Sequence, residues 1–158
     1  MSRQMTALAV LGALLMSACA NGPPEKTPPV VATSGGTSLG ELPAQQLTKG
    51  QCALVLWSHK SLPLRFLVTL DQPAVARVQV EGKMIELVRV AQSGQPLYGQ
   101  FPEQHYRGDG HSLGVSFAVD AAKGLNGGAV VSSALVEYVD AKGWTAIIPA
   151  AGLIACQT

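Results

Sequence analysis

The side chains that could do chemistry in this chain are a serine between glycines, three histidines and three cysteines. Gly110-His111-Ser112-Leu113-Gly114 matches the Gly-x-Ser-x-Gly pattern, which presents a nucleophile when a strand enters the turn and a helix leaves it. Here the turn-formers Arg107-Gly108-Asp109-Gly110 precede it and an apolar, strand-like run follows at residues 113–119. The surroundings therefore predict a turn leading into a strand, and a small hydrolase built on Ser112 stands only as an alternative. His105 and His111 flank Asp109, and imidazole with carboxylate suits zinc or a similar ion. Six residues across a turn is not a recognised metal spacing, so the expectation is loop histidines, with a metal-binding protein as a further alternative. His59 stands apart from both. The reading assigns no catalytic residue, no metal and no cofactor.

The elements that carry these residues follow an N-terminus of a different character. Arg3 gives a single positive charge, residues 5–16 are apolar and uncharged, and Ser17-Ala18-Cys19 follows. That is the layout of a secretory signal peptide over residues 1–18. An apolar run of roughly 12 residues is too short to cross a bilayer as a helix, which needs about 20. Leu15-Met16-Ser17-Ala18-Cys19 resembles the lipobox of bacterial lipoproteins, with Met16 where that pattern has leucine. The resemblance implies lipidation of Cys19, which becomes the mature N-terminus, and a tether to the cell envelope membrane. Asn21, where an aspartate is the inner-membrane retention signal in many such proteins, leans toward the outer membrane, facing the periplasm. Cleavage after Ala20 would instead release a soluble periplasmic protein.

Residues 19–48 read as a lipidated N-terminus and a Pro/Gly/Ser-rich linker. Pro23, Pro24, Pro28, Pro29 and Pro43 alternate with Gly35-Gly36 and several Ser and Thr, with no hydrophobic periodicity. Such a segment cannot bury enough apolar area to offset its ordering entropy. Residues 49–158 form one β-domain of about 110 residues, enough for a single core. Apolar runs at residues 52–57 and 64–70, alternation at 75–80 returning at 84–90 through Glu81-Gly82-Lys83, and further runs at 113–119, 129–139, 144–148 and 154–157 predict strands. Residues 97–101 read as a short strand and residues 120–125 as one helical turn at most. The fold class is all-β, a small antiparallel barrel or sandwich of seven to eight strands. Trp57 and Trp144 are expected in the core. In an oxidising envelope compartment, Cys52 and Cys156 read as a disulfide once Cys19 carries lipid. The alternative is two buried free thiols. The bond would join the first strand to the last, which favours a barrel.

The layout of Cys19, Cys52, Cys156 and Ser93-Gly94 with Tyr98 nearby resembles the membrane-bound inhibitors of c-type lysozyme. Those are lipoproteins with a small disulfide-tied β-barrel. The resemblance implies that Ser93 and a lysine, Lys123 or Lys142, enter a lysozyme cleft, with Tyr98 alongside. The Ser-Gly to Tyr spacing departs from the family's by a residue, and neither lysine has the family's surrounding residues. Eleven basic against ten acidic residues give a net charge of +1, with no basic block, so neither nucleic acid nor anionic lipid is implied as a partner. The expectation is a non-enzymatic envelope lipoprotein whose β-domain has a binding or structural role, with a protein in the envelope as partner. A lysozyme inhibitor-like protein is the alternative.

Overall fold

The structure, a computed structural model, describes residues 30–31, 39–59 and 63–158. The signal peptide, Cys19 and most of the linker lie outside the described residues, as do the side chains of residues 121–124. The strands in chain order are β1 (Val30–Val31), β2 (Leu39–Gly40), β3 (Cys52–Ser58), β4 (Arg65–Leu70), β5 (Val75–Val80), β6 (Lys83–Ser93), β7 (Glu103–Gly108), β8 (His111–Leu125), β9 (Gly128–Val139) and β10 (Thr145–Cys156). Every pairing between them is antiparallel.

Eight of these strands close on themselves in the order β5-β4-β3-β10-β9-β8-β7-β6, with β6 returning to β5 from Val75↔Val88 to Val80↔Lys83. The all-β expectation holds, and the architecture is a closed barrel. Closure removes the long free edges on which another chain could template a strand. Tight turns set the registers. Glu81-Gly82 joins β5 to β6 and Asp109-Gly110 joins β7 to β8, each with two consecutive positive φ angles (49° and 79°; 50° and 79°). These are the left-handed positions of a type I′ turn, whose twist matches that of the strands.

An eight-stranded barrel has an interior just wide enough for side chains. Leu54, Leu56, Phe66, Val78, Leu87, Tyr106, Leu113, Val136, Tyr138 and Ile154 fill it, all but inaccessible to solvent. A second, smaller core lies outside the lumen, where Leu42 packs with Ala53, Val68, Leu70 and Val75, flanked by Leu47 and Val55. The strap that carries Leu42 is fixed by polar contacts. Leu42 N–H donates to the Arg65 carbonyl at 2.8 Å, and Arg65 Nε and Nη2 donate to the Leu42 carbonyl at 3.1 and 2.7 Å. Arg77 Nη1 donates to Gln45 Oε1 at 3.0 Å. The linker boundary at residue 48 is corrected accordingly, because residues 39–48 belong to the folded unit. Two cores also explain why β3 and β4 read as near-continuous apolar runs, since both of their faces are covered.

Four local expectations change. Residues 120–125 continue β8 and are not helical. Residues 97–101 hold a tight turn with the bridge Leu97↔Gln100 in place of a short strand. β7 was not foreseen, because Glu-Gln-His-Tyr-Arg-Gly lacks an apolar face. Trp144 is 55% exposed beside the β9–β10 turn and lies outside the core, while Trp57 is half-buried.

Candidate functional site

Cys52 and Cys156 are cross-strand register partners on β3 and β10 and form a disulfide. The ladder continues just past the bond, with Gln157 N–H donating to the Gln51 carbonyl at 2.9 Å and Gly50 N–H to the Gln157 carbonyl at 2.7 Å. The bond sits at the barrel end that also carries the β4–β5, β6–β7 and β8–β9 connections.

Strand alternation separates the residues of the hydrolase and metal alternatives. His111 shares an inward face with Leu113 and Val115 and stacks on Tyr138 with ring centroids 5.7 Å apart. The Tyr138 hydroxyl and His111 Nδ1 are 2.7 Å apart. His105 lies on the outward face of β7, between buried Gln104 and Tyr106, and is exposed. The two imidazoles therefore lie on opposite faces of the sheet and cannot share an ion. Among the described residues, no group of three or more His, Cys, Asp or Glu is placed to hold a metal. Ser112 lies within β8, paired to Arg107 and Val139, and not on a strained strand-to-helix turn. His59 is exposed at the end of β3, where its N–H bonds the Pro149 carbonyl at 3.4 Å.

Residues 94–102 connect β6 to β7 and hold Tyr98, with Ser93 the last residue of β6 at their base. Ser93 Oγ donates to Glu103 Oε2 at 2.6 Å across the strand pair, so this hydroxyl is already engaged at the base of the loop. Tyr98 and Gly99 have φ of 51° and 73°. With Leu97 and Gln100 exchanging hydrogen bonds of 2.8 and 3.0 Å, this is a third type I′ turn. A tyrosine is a poor occupant of the left-handed region, at a cost of order 1–3 kcal/mol. Its ring and Leu97 are nonetheless displayed, 40% and 38% exposed. Gly99 is required there on two counts, since a Cβ would fall 2.7 Å from Asp71 Cβ as well as demanding positive φ.

The two lysines are not gathered at this loop. Lys142 stands in the β9–β10 turn at the opposite end of the barrel, beside Asp140, whose carboxylate accepts the N–H of Lys142 and of Trp144 at 2.9 Å each. Lys123 belongs to β8 beyond the last lumen residues, at the same end as the loop, and its side chain lies outside the described residues.

Beneath the turn, inside the barrel, lies a group of polar side chains that sequence reasoning missed. Thr69, Gln100, Gln104 and Tyr106 are fully buried. Thr69 Oγ1 donates to Gln100 Oε1 at 2.7 Å, Gln104 Nε2 to the same oxygen at 3.3 Å, and the Tyr106 hydroxyl to Gln104 Oε1 at 2.7 Å. Arg89 Nη1 donates to Gln104 Oε1 at 3.0 Å and to the Gly99 carbonyl at 3.4 Å, and the guanidinium lies 5.3 Å from the Phe101 ring centroid. Burial raises the Tyr106 pKa above the ordinary phenol value, against the opposing effects of Thr69 and Arg89. At the far end of the lumen, burial, with Asp140 and Glu81 nearby, pushes Tyr138 up to about 12.

Eight antiparallel strands around a lumen filled by side chains define a small closed barrel. Comparison with known proteins gives no matching family model, no similar curated protein and no similar solved structure.

Proposed function

We propose that this chain is a non-enzymatic cell-envelope lipoprotein, lipid-anchored through Cys19, whose barrel presents the Tyr98 turn to a protein partner. One geometric observation carries the reading. The described chain reaches the barrel at Leu39, which pairs with Val80 next to the β5–β6 turn. The Tyr98 turn lies at the other end. A tether entering at one end leaves the opposite end directed away from the membrane, and that end carries an exposed tyrosine held in an unfavourable backbone conformation. Strain at an exposed aromatic persists only where the surrounding structure enforces it, and such positions cluster at ligand contacts. Tyrosine also supplies large contact area with little conformational freedom to lose.

The intact mass of the mature protein from the membrane fraction tests the anchor. Acyl chains on Cys19 support the proposal, and a lipid-free start at Asn21 refutes that part of it. The partner reading is tested by cross-linking from position 98 in intact envelopes, with one discrete adduct expected.

A lysozyme inhibitor-like activity is a second reading, favoured by Ser93 and Tyr98 both being exposed at the β6–β7 end of the barrel. It predicts that the purified protein slows a c-type lysozyme and that Tyr98→Ala weakens this effect. Unchanged lysozyme rates would exclude this reading without touching the first.

A further inference from the structure

The buried polar group under the Tyr98 turn has a fixed direction, and the direction leaves one donor over. Arg89 can only donate. Gln104 must therefore turn Oε1 toward Arg89 Nη1, at 3.0 Å, where the same oxygen receives the Tyr106 hydroxyl at 2.7 Å. That orientation sends Gln104 Nε2 to Gln100 Oε1 at 3.3 Å, and Thr69 Oγ1 donates to that oxygen as well, at 2.7 Å. Rotating the Gln100 amide by half a turn would set its NH2 against the NH2 of Gln104. Rotating both would set Gln104 NH2 against the guanidinium. Neither reversal is permitted, so Arg89 fixes the polarity of the whole chain of bonds. Gln100 Nε2 is left as a buried donor with no acceptor among the described residues, in a side chain with no exposed surface.

A buried amide without a partner is strongly disfavoured, because it has given up water and received nothing in return. We infer that this end of the lumen is a binding site for one water molecule, which accepts from Gln100 Nε2. Water suits the site chemically. It is neutral, and it accepts the amide proton while bringing two protons of its own for oxygen lone pairs of the surrounding polar group. A buried water typically makes about three such bonds. Larger ligands have no route, since Gln100, Gln104, Thr69 and Tyr106 are all closed to solvent. The site is also coupled to the turn above it. Gln100 is the last residue of that turn and is joined to Leu97 through both backbone groups. Lifting the turn opens the site, so the water is retained for as long as the turn stays down. The completed network thus holds the exposed Tyr98 from beneath.

A crystal structure of the protein at about 1.3 Å tests this directly, with a solvent peak expected within about 3.2 Å of Gln100 Nε2. The side-chain amide protons of Gln100 should show magnetisation transfer to a long-lived water by NMR. A structure with no peak, or with Gln100 rotated so that Nε2 meets a protein acceptor, overturns the inference. In Gln100→Met the long-lived water should be lost and the backbone amides at positions 97 and 100 should exchange with solvent about tenfold faster. Unaltered exchange at those two amides would overturn the coupling. None of these measurements uses a partner, so they stand or fall separately from the proposed function.

Discussion

Cys52 and Cys156 face one another across the first and last strands of the barrel, with Cα atoms 4.0 Å apart and 104 positions between them in sequence. Because the bond joins residues already paired in the ladder, it constrains the unfolded chain far more than the folded one. On the chain-entropy account, a loop of this size contributes about 4–5 kcal/mol. The double variant Cys52→Ser/Cys156→Ser should therefore keep its β circular dichroism and lose about that much in urea unfolding. An unchanged midpoint would contradict the account.

The strap should be as important as a barrel strand. Leu42 is fully buried in the outer core and held through both backbone groups by Arg65. Leu42→Ala should cost about 2–5 kcal/mol. A truncated chain beginning at Lys49 should unfold at lower denaturant than one beginning at Val30.

Gly152 lies at the irregularity in the β9–β10 register between Ala150 and Gly152. A Cβ there would fall 2.0 Å from the Val55 carbonyl oxygen, a backbone atom that can yield only if β3 shifts. Gly152→Ala should destabilise by at least about 2 kcal/mol, at the upper part of the overpacking range. Gly82→Ala meets no atom and should cost only the strain of its positive φ. The two thermal midpoints, measured side by side, check the contrast.

Tyr98→Asn should separate stability from recognition. Asparagine accepts the left-handed turn position more readily, so the variant should be more stable by about 0.5–1 kcal/mol. It should also lose most of its affinity for the proposed partner, or its effect on lysozyme. A variant that gains stability and retains full binding would remove Tyr98 from the contact surface.

Alkaline pH should unfold the barrel through its buried tyrosines. An unfolded tyrosine ionises near pH 10, whereas Tyr138 in the folded state does so at about 12, and Tyr106 is shifted in the same direction. Between those values the unfolded chain holds fewer protons than the folded one, so stability falls as pH rises. The contribution is present in full below about pH 10 and is lost progressively toward pH 12. Urea unfolding from about pH 8 upward should show this decline, and Tyr138→Phe should flatten it.

The barrel was legible where side chains alternate or where apolar residues run together. Val75–Val80 and its return through Glu81-Gly82 were read with the correct partner, because both the period and the turn chemistry are written locally. β7 was hidden because its inward positions are Gln104 and Tyr106, and polar residues on a buried face leave no periodic apolar signal. The same cause concealed the Arg89–Gln104–Gln100–Thr69 network, which is assembled from four separate segments. Leu39 and Leu42 were passed over because two leucines among prolines and glycines make no pattern until the main core receives the first and the outer face of β4 the second. Trp144 misled in the opposite direction, as a large apolar residue left on a turn. Of the contact residues, Ser93 and Tyr98 are neighbours in sequence and so were legible together, while the placement of Lys142 at the far end depended on counting strands.

The disulfide also changes what a cut in the backbone means. Residues 52–156 form a covalent ring, since the peptide chain runs one way round and the Cys52–Cys156 bond completes the circuit. A protease that nicks an exposed turn, such as the one at Lys142-Gly143, opens the ring without separating its pieces, and both halves stay threaded into the same hydrogen-bonded wall. Such a nicked molecule would migrate as one species until reduced.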